Sequence, residues 1–159
     1  RHALEEFLAA ACTLSERCVI VTNSVRPWVH TCVRRFVPSI LAMLEREGPA
    51  DPDEEEPRLS VVYAREIAAS KSRRCSRESH VRAVLHETRC ADELTEMLTK
   101  AKRIAMKHVA KTFYSKYPGQ TWKNILSIGD MEYEHMALQE VTFRRVAPAR
   151  ENLRTKALT

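Results

Sequence analysis

Two carboxylates, Asp130 and Glu134, follow an apolar run and a glycine in Asn124-Ile125-Leu126-Ser127-Ile128-Gly129-Asp130-Met131-Glu132-Tyr133-Glu134. Ile125, Leu126 and Ile128 read as a buried strand, of the kind a parallel sheet covers on both faces. Gly129 frees the backbone for a sharp exit. Asp130 then falls at the carboxyl end of the strand, where open α/β sheets place their ligands. With a helix over Met131 to Glu140, Asp130 and Glu134 both face that end. Two carboxylates on one rim suit a hard cation such as Mg²⁺, which takes oxygen ligands and keeps several waters. The plain alternative is a strand, a tight turn and an N-capping Asp with acidic residues in the first helical turn.

A second apolar run, Cys18-Val19-Ile20-Val21, ends in three small polar residues, Thr22, Asn23 and Ser24. A hydroxyl at a strand end, beside a helix start, can bind an anion together with backbone N–H groups. A long helical pattern between the two runs carries Lys100, Lys102 and Lys107. A lysine on a helix usually faces solvent, so these stand as alternatives, with Lys102 in Lys-x-x-Ala-Met the preferred one.

An apolar strand ending in Thr-Asn, then a lysine, then an apolar strand ending in Gly-Asp-x-x-x-Glu resembles the later motifs of the haloacid dehalogenase-like superfamily. The resemblance covers the chain from about Cys18 onward. It implies a three-layer α/β sandwich with a mainly parallel, Rossmann-like sheet over a single domain, residues 1–159. It further implies a phosphohydrolase that works through an aspartyl-phosphate. By that resemblance Thr22 and Asn23 contact the phosphoryl group, Lys102 neutralises its charge, and Asp130 with Glu134 holds Mg²⁺. Glu134 stands where the superfamily commonly has a second Asp, which leaves open direct ligation or ligation through water.

The superfamily's nucleophile, the first Asp of a strand-end Asp-x-Asp motif, has no counterpart here. The only such triplet, Asp51-Pro52-Asp53, lies in an acidic, proline-rich loop over residues 48–57 with no apolar run before it. The chain opens at Arg1 in a helical pattern without Met, so the expectation is a core domain truncated before its central nucleophile strand. Thr22 and Asp130 should then share one sheet edge. The slot between their strands should be empty or filled by a neighbouring chain.

The chain has 159 residues, a size for one domain with a real core. No apolar run approaches the ~18 residues of a membrane span, and no secretory leader is visible. Cys12, Cys18 and Cys32 sit in apolar patterns, which points to reduced thiols and an intracellular, cytoplasmic setting. The net charge is +5, with its positive side concentrated between Arg65 and Arg103. No Phe, Tyr or Trp lies between Tyr63 and Phe113, so that face lacks a base-stacking platform for nucleic acid. The expected partner is a phosphorylated substrate. The alternative is a non-catalytic interaction module of the same fold, using the basic 65–103 face.

In chain order, His2 to Ser15 reads as an amphipathic helix and Cys18 to Thr22 as a strand. Ser24 reads as the N-cap of a helix with Trp28, Cys32, Phe36, Ile40 and Leu44 along its core line, kinked at Pro38. Arg58 to Tyr63 reads as the next parallel strand, Ala64 to Lys71 as a helical turn or two, and Ser70 to Ser79 as a loop. A short helix is expected over His80 to His86 and a long one over Asp92 to Tyr117. Met136, Ala137 and Leu138 should face inward from the last helix. Val141 to Val146 should extend as a strand, Ala147-Pro148-Ala149 should break it, and Thr155 to Thr159 should add a short strand. The histidines read as isolated surface or satisfied side chains.

Overall fold

The structure, a computed structural model, describes residues 2–44, 59–75, 91–117, 124–143 and 154–158; for 72–75, 91, 143 and 154–158 it describes the backbone only. It is mixed α/β and mainly helical, with two parallel pairs of strands. The chain divides into two compact units, Arg1–Tyr63 and Ala64–Thr159. The 48–57 loop and the segments 80–86 and 147–149 lie outside the described residues.

In the first unit, α1 (His2–Leu14) leads into β1 (Cys18–Thr22), and β2 (Leu59–Tyr63) pairs parallel with β1. The register sets Cys18 beside Leu59 and Thr22 beside Tyr63, so both strands end together. The core is Leu8 and Cys12 of α1, Val37, Ile40, Leu44 and Leu59, with Cys18, Ile20, Val33 and Val61 packed on it. The Arg17 guanidinium donates to Ser60 Oγ at 3.2 Å, anchoring the entry to β1 to the second strand.

The helix after β1 is shorter than its hydrophobic spacing predicts. It is α2 (Trp28–Phe36), followed by a 3₁₀ segment, Pro38–Met43. Pro38 has no N–H to give, and its ring pushes the preceding residue out of helical geometry. Val37 accordingly sits at φ −144° and ψ 62°. The kink is therefore a break, and it rotates the apolar line. Ile40 and Leu44 are buried as expected, whereas Trp28 and Phe36 are 59% and 57% exposed. Pro27, not Ser24, occupies the N-cap position of α2, without a capping side chain.

In the second unit, α3 (Ala64–Cys75) continues well past Lys71, so Ser70 to Cys75 is helix rather than loop. Ser70 Oγ bonds back to the Ile67 carbonyl, which lets a serine sit inside a helix. The long helix α4 (Ala91–Ser115) packs against α3 and against α5 (Glu132–Phe143). Ala101, Ala105, Ala137, Leu138 and Val141 are buried in this unit. Val141 to Phe143 belongs to α5, not to a strand. Met136 is exposed, while its neighbours Ala137 and Leu138 face inward.

Parallel pairing joins β3 (Asn124–Ile128) to β4 (Arg154–Leu158). Burial along β3 alternates, with Leu126 and Ile128 at 58% and 54% exposed. One face of the strand is therefore open, in contrast to the expectation of a strand covered on both sides. Alternate burial is what a strand shows when only one face packs.

Candidate functional site

The second unit gathers Lys102, Asp130 and Glu134 around the turn between β3 and α5. Lys102 lies in mid-α4, and its side chain is 6% exposed. Its ammonium donates to Glu134 Oε1 at 2.5 Å. A buried lysine needs such a partner, because an unpaired charge inside a protein is costly. Arg103 Nε pairs with Glu140 Oε2 at 3.1 Å, so two successive cations of α4 engage two carboxylates of α5.

Glu134 sits in the first turn of α5, and its N–H donates to the Met131 carbonyl. Its second oxygen, Oε2, is buried and has no hydrogen-bond partner among the described residues. That oxygen lies over Gly129: a Cβ added there would stand 1.8 Å from Oε2 and 3.1 Å from the Glu134 Cβ. The φ of Gly129 lies outside the left-handed region. The position thus needs glycine for room rather than for a special turn, which corrects the expectation drawn from its sequence.

Asp130 is exposed at the end of β3. Tyr133 stands near both acids. Burial pushes its phenol up from the ordinary value, and the charges of Glu134 and then Asp130 push it the same way. The Lys102 ammonium lies 5.9 Å from the Tyr133 ring centre, at the outer limit of a cation–π contact.

The donor set fits Mg²⁺ in one respect. A buried carboxylate oxygen without a partner can be satisfied by a water or an ion, and an exposed carboxylate lies four residues before it. Among the described residues no group of three or more His, Cys, Asp and Glu could cage a metal. A cation here would rest on two carboxylates and water, which Mg²⁺ accepts and a structural Zn²⁺ does not.

Thr22 and Asn23 belong to the first unit, at the carboxyl end of β1. Thr22 Oγ1 accepts the Ser24 N–H at 3.0 Å, which closes the turn after the strand. Beside it, His30 Nδ1 lies 3.4 Å from the Tyr63 hydroxyl, and the Arg26 guanidinium sits 4.7 Å from the Tyr63 ring centre. His30 is thus a satisfied histidine, and no motif marks Arg26, His30 and Tyr63 as a group. The signal was available in composition: no Asp or Glu occurs from Cys18 to Leu44.

The basic 65–103 face is only partly described. Within it, the Lys102 and Arg103 cations pair with Glu134 and Glu140. No helix among the described residues is long and apolar enough to cross a membrane. No protein-family model, curated protein or solved structure matches the chain.

Proposed function

We propose that the chain is a Mg²⁺-assisted phosphohydrolase domain of the haloacid dehalogenase-like type, intracellular and acting on a phosphorylated substrate. Its fold in this reading is the three-layer, mainly parallel Rossmann-like sandwich. The observation that carries the reading is the buried Lys102–Glu134 pair set over Gly129, with Glu134 Oε2 left without a partner.

In this reading Asp130 and Glu134 hold Mg²⁺. Bound there, the cation supplies a Lewis acid for the phosphoryl oxygens. Lys102 adds positive charge at a place shielded from water, where charge stabilisation is strongest. Glu134 Oε1 holds the ammonium in place, so the lysine is oriented before any phosphate arrives. Thr22 and Asn23, at the end of β1 in the first unit, are read by the same resemblance as phosphate contacts. The attacking carboxylate comes from outside these residues: it bonds to phosphorus, the substrate oxygen leaves with the bonding pair, and water then cleaves the aspartyl-phosphate.

Linkage between the two ligands tests this. Inorganic phosphate should bind about tenfold more tightly in saturating Mg²⁺ than in EDTA, a coupling of about 1.4 kcal/mol. Equal phosphate affinity in the two buffers would count against a phosphoryl–metal site at Lys102, Asp130 and Glu134.

A further inference from the structure

The carboxyl ends of β1 and β2 carry more anion chemistry than Thr22 and Asn23 alone. The register that sets Thr22 beside Tyr63 brings two different elements to one point. From β1 and its turn come the Thr22 hydroxyl and the residues that follow it. From α2 comes His30, hydrogen-bonded to the Tyr63 hydroxyl. Over the Tyr63 ring lies Arg26.

The Thr22 hydroxyl and the His30 ring are each left able to donate. The Thr22 oxygen accepts from Ser24, so its own O–H is available to an incoming acceptor. When Tyr63 donates to His30 Nδ1, the imidazole proton resides on Nε2, which is then a donor. The Arg26 guanidinium rests on the buried Tyr63 ring while Arg26 itself is exposed. Stacking of this kind limits the arrangements of a planar fork suited to phosphate oxygens.

The surroundings agree. Cys18 to Leu44 contains Arg26, Arg34, Arg35 and His30 and no acidic residue, and neither does Leu59 to Tyr63. Glu5 of α1 accepts from Ser39 Oγ in this stretch, and the cations of the stretch itself favour an anion. The strand ends are also where parallel sheets place their ligands.

We infer that Thr22, Arg26 and His30, with Tyr63 as the platform, form a phosphate-monoester site at the carboxyl end of the β1–β2 pair. This deepens the phosphate role given to Thr22 and Asn23 above and rests on that part of the reading. It assigns Arg26 as the main charge contact and His30 as a second donor. Tyr63 positions both and does not touch the ligand.

The test is a titration of the full chain with inorganic phosphate in EDTA, followed by amide chemical shifts. Metal-free buffer separates this inference from the Mg²⁺ reading, which can fail without affecting it. Ser24 and Arg26 amides should shift together. Arg26→Ala should weaken binding about tenfold, the loss expected for one charge-assisted hydrogen bond. Arg26→Lys should recover part of that loss. Arg34→Ala, which removes the same charge from α2 instead, should leave the affinity within about twofold of the parent. Equal weakening by Arg26→Ala and Arg34→Ala would reduce the effect to net charge and overturn the site. Unchanged affinity in Arg26→Ala would overturn it as well.

Discussion

Glu134 occupies the space that any side chain at residue 129 would need: its Oε2 lies 1.8 Å from where a Gly129 Cβ would be. The glycine before Asp130 is therefore the floor on which the carboxylate of the next helix rests. Lys102 holds that carboxylate from the other side. The three residues come from β3's exit, α5 and α4, and none of them can change without moving another.

Gly129→Ala should displace Glu134 from Lys102 and lower stability by about 1–3 kcal/mol, the range for a small overpacking step. Denaturant melts of Gly129→Ala, Glu134→Ala and the double variant provide the check. The double variant should be less destabilised than the sum of the singles, because the clash vanishes once the carboxylate is gone. Strict additivity would place the cost in the backbone instead.

Lys102→Met removes the cation and leaves the Glu134 carboxylate buried without its partner. The expected loss is about 3–5 kcal/mol, as for breaking a buried pair. Adding Glu134→Leu should restore most of it, since two apolar groups need no compensation. Lys100→Met is the control: Lys100 is exposed, and surface substitutions of this kind stay within about 0.5 kcal/mol. A Lys100 variant as unstable as Lys102→Met would contradict the assignment of the buried lysine.

Acidification should weaken the packing of α3 on α4. Burial, and then the charge of Lys71, hold His108 below its ordinary value of 6.5. Lys71 is itself held low by burial and by the charges of Lys111 and Lys107, so the whole patch resists another positive charge. A depressed pKa means that the unfolded chain takes up the proton first. The stability due to neutral His108 is thus present above 6.5 and lost as pH falls through the lower folded value. Melting temperature should drop as pH falls below 6.5, and His108→Gln should flatten that drop. An equal drop in the variant would shift the effect to other groups.

Local pattern was enough for several elements. β1 runs from Cys18 to Thr22 as its apolar residues require, α1 and α4 match their periodic stretches, and β2 pairs parallel with β1. Other features depend on neighbours that spacing cannot reveal. Lys100, Lys102 and Lys107 look alike along α4, and only the placement of Glu134 on α5 makes Lys102 the buried one. The burial of Ile40 but not Phe36 follows from how far Pro38 turns the chain, which hydrophobic periodicity cannot supply. Val141 to Val146 reads as strand by its alternation, yet Val141 continues α5, where it is buried. At the β1–β2 end, Arg26, His30 and Tyr63 come from separate elements, and only the register unites them.

The phosphohydrolase reading stands or falls on whether Asp130 and Glu134 hold a divalent cation. The direct measurement is a thermal melt of the full chain against rising Mg²⁺, in parallel with Asp130→Asn. A ligand that binds the folded state stabilises it by about 2.7 kcal/mol at ~100 times its Kd. A saturable rise of several degrees is expected in the parent chain and none in Asp130→Asn. The same rise in both, or no rise in either, would contradict that reading.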